Sequence, residues 1–104
     1  MKKVKSIVDV KPVMSQVLVE MLTAQEAMNT ILTVKEDSDY GAPQGYVLAM
    51  GPSAKPEEMG FKVGDRVVLQ GSFVPLPNYD GHSRQRGVLE PHNIKAVLVE
   101  DQED

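Results

Sequence analysis

Gly45-Tyr46-Val47-Leu48-Ala49-Met50-Gly51 is an apolar run of strand length closed at both ends by glycine, and it sets the reading of the whole chain. Downstream, Val63-Gly64-Asp65 has the residues of a tight turn and opens directly into a second such run, Arg66-Val67-Val68-Leu69-Gln70. Upstream, Gln16-Val17-Leu18-Val19-Glu20-Met21-Leu22 is β-branched and apolar enough for a strand, with Pro12 at its approach, where proline is tolerated. Near the end of the chain Ile94-Lys95-Ala96-Val97-Leu98-Val99 supplies a fourth. Short strands joined by Gly- and Pro-rich connections, with no long amphipathic helix, predict an all-β fold, either a small barrel or a sandwich.

Three connections carry the remaining length. Thr23 to Gln44 is the longest; it joins a helix-permissive piece, Ala24-Gln25-Glu26-Ala27-Met28, to an apolar piece, Thr30-Ile31-Leu32-Thr33-Val34, and then to the acidic Glu36-Asp37-Ser38-Asp39. A connection of that length in so small a domain is expected to be functional or disordered. Pro52 to Met59 is a short polar link with two prolines, and Gly71 to Gly87 has the turn residues of one irregular hairpin.

The 104 residues fit one domain, which buries only a modest share of its surface without a partner subunit. With 5% aromatics and no Trp, its core is expected to consist of Val, Leu, Ile and Met. The absence of Cys excludes a disulfide framework and Cys-ligated metal, and fits a reducing cytoplasm. Met1-Lys2-Lys3-Val4-Lys5 leads into Asp9, Lys11 and Pro12 without an apolar stretch, so it does not read as a signal peptide, and no run is long enough to cross a membrane. A net charge of −4 argues against nucleic acid as the main partner, and the tail Glu100-Asp101-Gln102-Glu103-Asp104 reads as a solubilising segment. His82 and His92 lack metal-ligand spacing, and no serine lies in a nucleophile elbow. Gly51-Pro52-Ser53-Ala54-Lys55 is not a phosphate-binding loop, and Asp37, Asp39 and Asp80 do not form a calcium-binding pattern. The sequence therefore predicts no catalytic residues, no metal and no cofactor.

Taken in order, these segments resemble the GroES co-chaperonin family over residues 10 to 99. Val10-Lys11-Pro12-Val13-Met14-Ser15-Gln16-Val17-Leu18-Val19 resembles the opening strand, with Ser15 and Gln16 in place of the usual Asp-Arg. Gly45 to Gly51 resembles the Gly-x-Val-Leu-Ala-Val-Gly strand, and Phe61-Lys62-Val63-Gly64-Asp65-Arg66-Val67 the Val-Lys-Val-Gly-Asp-x-Val turn and strand. His92-Asn93-Ile94-Lys95-Ala96-Val97-Leu98 mirrors the closing Ser-Asp-Ile-Leu-Ala-Ile-Val. Between them, Ile31-Leu32-Thr33 falls where the family keeps the apolar anchor of its mobile loop. Met28-Asn29-Thr30 replaces the glycines that usually precede the anchor, Thr33 stands at an apolar position, and residues 52–60 are shorter than the family's roof hairpin.

The resemblance implies a GroES-like β-barrel at 10–99 with a mobile loop at about 23–44, flanked by an extension at 1–9 and an acidic tail at 100–104. It implies a cytoplasmic, non-enzymatic chaperone that caps a GroEL-type chaperonin in an ATP-dependent folding cycle, the ATP being bound by the chaperonin. Ile31, Leu32 and Thr33 would bind that partner. The chain would form a homoheptameric ring, with Ala96, Val97, Leu98 and Val99 of one subunit pairing with Val17, Leu18 and Val19 of the next. The divergence from the family pattern fits a bacteriophage- or prophage-encoded member working in the host cytoplasm. The competing reading is a small non-chaperonin β-barrel that binds another protein or serves as a viral structural component.

Overall fold

The computed structural model describes residues 4–29, 42–81 and 83–100. In chain order the elements are β1 (Val17–Met21), α1 (Ala24–Asn29), β2 (Gln44–Met50), α2 (Pro56–Met59), β3 (Arg66–Leu69), β4 (Val74–Pro75), β5 (Arg86–Leu89) and, after a 3-10 turn at Pro91–Asn93, β6 (Ile94–Leu98). The strands form one sheet in the order β4-β5-β1-β2-β3-β6, with every neighbouring pair antiparallel. The four strands expected from apolar runs correspond to β1, β2, β3 and β6. The irregular hairpin expected between Gly71 and Gly87 overlaps in part with the pairing of the two-residue β4 with β5, which runs on past Gly87 to Leu89.

Alternation along the strands builds the core. Val17 and Val19 of β1 meet Val47 of β2, Val67 and Leu69 of β3 and Leu89 of β5, with Phe61 closing one end. Burying each such side chain contributes roughly 1.5–3 kcal/mol, so β-branched residues on a pleated face supply much of what stabilises this sheet. α2 is a single turn that starts at Pro56 and stops at Gly60, whose φ of 88° lets its N–H reach the Pro56 carbonyl at 3.0 Å. Proline at the start and a left-handed glycine at the end are the residues such a turn needs.

One expectation is corrected. Val17, Leu18 and Val19 are 0%, 3% and 0% exposed, and β1 pairs with β2 on one side and β5 on the other. Both of its sides are therefore taken within the chain, and β1 is not an edge to which a neighbour's β6 adds. A continuous Val-Leu-Val run buried on both faces belongs in the middle of a sheet. The long connection also differs from a structureless loop, because its first part is the helix α1.

Candidate partner-binding site

The connection that carries Ile31, Leu32 and Thr33 leaves the sheet at the end of β1 and returns at the start of β2, and its two feet are joined. The Leu22 N–H donates to the Gln44 carbonyl at 2.9 Å, and Met21 lies opposite Gly45 in the ladder. Ile31, Leu32 and Thr33 themselves lie outside the described residues, as does His82. What the structure gives is the base from which residues 30–41 depart.

That base is held on the β1 side by α1. Thr23 and Glu26 form a reciprocal cap, in which Glu26 N–H donates to Thr23 Oγ1 at 3.1 Å and Thr23 N–H donates to Glu26 Oε1 at 2.9 Å. Arg84, from the segment leading into β5, donates to the same carboxylate through Nη1 at 2.7 Å and also through Nη2. Its Nε lies 3.9 Å from Glu20 on β1. α1 is thus fixed to the sheet by one arginine fork, which matches a carboxylate plane better than an ammonium does.

The electrostatic consequence is specific. The Arg84 guanidinium, followed by the Thr23 backbone N–H, holds the Glu26 carboxyl well below its ordinary value of 4.5, at about 2, and the same pairing raises Arg84. A carboxyl whose folded value is depressed stabilises the fold above its unfolded value, and that contribution fades as pH falls from 4.5 towards 2. The Glu26 carboxyl-carbon shift in an NMR titration is expected to have its midpoint close to pH 2, with α1 amides exchanging faster only below about pH 4. A midpoint near 4.5 would show that the Arg84 fork does not form.

On the β2 side, the foot is fixed by a buried polar group. Gln44 Oε1 accepts from Arg66 Nε at 2.9 Å, and Arg66 Nη1 reaches Glu100 Oε2 at 3.3 Å just beyond β6. Tyr46 also donates to Glu100, and that carboxylate raises the Tyr46 phenol. The register places Arg86, Glu20, Tyr46, Arg66 and Leu98 directly opposite one another, in a single row across β5, β1, β2, β3 and β6. Tyr79 stacks on Arg86 at 4.9 Å, and a cavity of about 460 Å³ opens beside them, floored by Leu18 and Ala49 and walled by Lys11 and Pro12. The chain matches no protein-family model and no curated protein. What can be said of a partner thus rests on the residues and their geometry.

The second candidate region is β6. Of the four residues expected at a subunit interface here, Ala96 and Val99 are exposed while Val97 and Leu98 are half-buried. Val97 packs against the core, and β6 pairs with β3 alone, so its other side is a free edge among the described residues. No helix among the described residues is long and apolar enough to cross a membrane. The Thr23-Ala24-Gln25-Glu26 cap was legible as a Thr-x-x-Glu pattern that the sequence reading passed over. No local signal marks Arg84 as the residue that would hold it.

Proposed function

We propose that this chain is a co-chaperonin of GroES type, a removable lid for a GroEL-type chaperonin. In this reading the ATP that drives the cycle is bound by the partner, and Ile31, Leu32 and Thr33 dock into an apolar groove on it. The observation that carries the reading is the base of the 23–44 connection: both feet leave one end of the sheet side by side, one fixed by the Arg84–Glu26 fork and the other by Gln44–Arg66. Such a base fixes where the connection leaves the sheet, so that the anchors of several copies would hang from one side of an assembly. One anchor binds weakly, yet copies on a symmetric ring gain avidity of about 10²–10⁴ and release together when the partner changes state.

The sheet would close as a barrel in this fold. Supporting closure, Gln70 N–H donates to the Asn93 carbonyl at 2.9 Å and Asn93 Nδ2 to the Ser72 carbonyl at 2.8 Å, drawing the start of β6 to the chain that leads into β4. Closure at that end would leave the rest of the β6 edge, unpaired among the described residues, to support a homoheptameric ring, because an unpaired edge invites addition of another strand. Native mass spectrometry tests the reading. The chain alone is expected at about seven times its 11.4 kDa mass, and with a GroEL-type chaperonin it is expected to form a complex only when ATP is present. A stable monomer, or a ring that ignores the nucleotide-bound chaperonin, would overturn it.

A further inference from the structure

Glu20 of β1 is a carboxylate with an arginine at each oxygen. Arg86 stands directly opposite it on β5, and Arg84, two residues earlier, lies diagonally from it on the same side of the sheet, within reach of a long side chain. Arg86 Nε donates to Glu20 Oε1 at 3.1 Å, while Arg84 Nε stays 3.9 Å from Glu20 Oε2, an ion pair too long for a hydrogen bond. Arg84 instead gives both of its terminal nitrogens to Glu26. At the other end Arg86 Nη1 reaches Asp80 Oδ2 at 3.4 Å. Charges therefore alternate along one row, Asp80, Arg86, Glu20, Arg84 and Glu26, which runs from the turn before β5 to the helix at the root of the 23–44 connection.

In such a row neighbours compete. Each arginine is shared between two carboxylates and Glu20 between two arginines, so what one link gains the next loses. The distances show the present division: Arg86 holds Glu20, which leaves Arg84 to Glu26. A guanidinium moved about 1 Å towards Glu20 would bring Arg84 to hydrogen-bond distance there and off the plane of the Glu26 carboxylate. α1 is the element that would respond. It has six residues, well below the roughly 12–15 at which a helix begins to hold alone, so its order depends on its cap, on buried Ala27 and on Arg84. Arg86 and Asp80, at the far end of the row, line the cavity floored by Leu18 and Ala49, so the row joins that cavity to α1.

We propose that Glu20 is a shared counter-ion that makes the docking of α1 conditional on Arg86: with Arg86 on Glu20, Arg84 clamps α1, and with Arg86 withdrawn, Arg84 turns to Glu20 and α1 is released. This goes beyond the co-chaperonin reading and needs neither a ring nor a partner. Glu20 and Arg86 are positioning residues that act on α1 through Arg84. Amide exchange and a carboxyl NMR titration on the isolated protein test it. Arg86→Gln is expected to speed exchange of the α1 amides about tenfold at neutral pH. It is also expected to move the Glu26 midpoint up from about 2 towards 4.5. Glu20→Gln is expected to do the reverse of what loss of an ion pair ordinarily does and slow α1 exchange, because Arg84 is then left to Glu26. The double variant Glu20→Gln with Arg86→Gln is expected to exchange no faster than the parent, with its Glu26 midpoint back near 2, since the group that drew Arg84 away is gone. Parental α1 exchange in Arg86→Gln, faster α1 exchange in Glu20→Gln, or a double variant as loose as Arg86→Gln alone would each overturn the proposal. Should Arg86→Gln fail to fold, the direction of the Glu20→Gln change decides by itself.

Discussion

Changing Ile31→Ser together with Leu32→Ser is expected to leave the sheet and the subunit mass of the assembly unchanged while abolishing ATP-dependent binding to a GroEL-type chaperonin. Among the described residues the core is formed by Val17, Val19, Val47, Phe61, Val67, Leu69 and Leu89, and in the proposed function Ile31 and Leu32 serve the partner. Each side chain buried in a partner's groove contributes roughly 1.5–3 kcal/mol, and in the proposed ring the loss would recur at every subunit. Pull-down with ATP reads the binding, and circular dichroism with thermal melting reads the fold. A double variant that loses its cooperative melt would place Ile31 and Leu32 in the core, because hydroxyls put into an apolar interior without partners are destabilising.

The second large effect is expected at Gly51. A Cβ there would lie 2.1 Å from the Met14 carbonyl oxygen and 2.8 Å from that of Val13, well inside contact distance. The backbone has no room to yield. Gly51 N–H donates to Gln16 at 2.9 Å, Ser53 N–H donates to Met14 at 2.9 Å, and Met14 itself sits at a φ of 54°, which residues with a side chain rarely adopt. Gly51→Ala is therefore expected to lower stability by about 3 kcal/mol, by the overpacking that an extra methyl causes in a closed site. Denaturant unfolding checks it, and a change below about 0.5 kcal/mol would mean that the turn at Met14 is not held as described.

Glycine at position 51 was visible from the start as the boundary of a strand, but its reason was not. The reason lies in a backbone that approaches from residues 13 and 14, and a linear sequence does not show approach. The strands themselves were legible because apolar, β-branched runs between turn residues have few other uses. β5 was harder to see: Arg86-Gly87-Val88-Leu89 starts with a charge and a glycine, and Gly87 is needed because Phe73 and the Val74 carbonyl crowd the place its Cβ would occupy. The expectation that Val17-Leu18-Val19 would take a neighbour's strand failed for a related reason. Val17-Leu18-Val19 and Val97-Leu98-Val99 look alike in sequence, yet the first is sealed on both faces and the second has an exposed end. An unbroken buried run is the sign of a central strand, while Lys95 within the last run marks it as an edge.

The contact between Tyr46 and Glu100 reaches beyond the static picture. The chain has three tyrosines and no tryptophan, so its ultraviolet emission comes from phenols alone. A phenol becomes a far stronger acid on excitation, and one already donating to a carboxylate passes on its proton and loses its ordinary phenol emission. Tyr46 is thus expected to emit weakly while it donates to Glu100 and to brighten when that contact opens. Such a change would make the contact between β2 and the end of β6 readable in real time without any label.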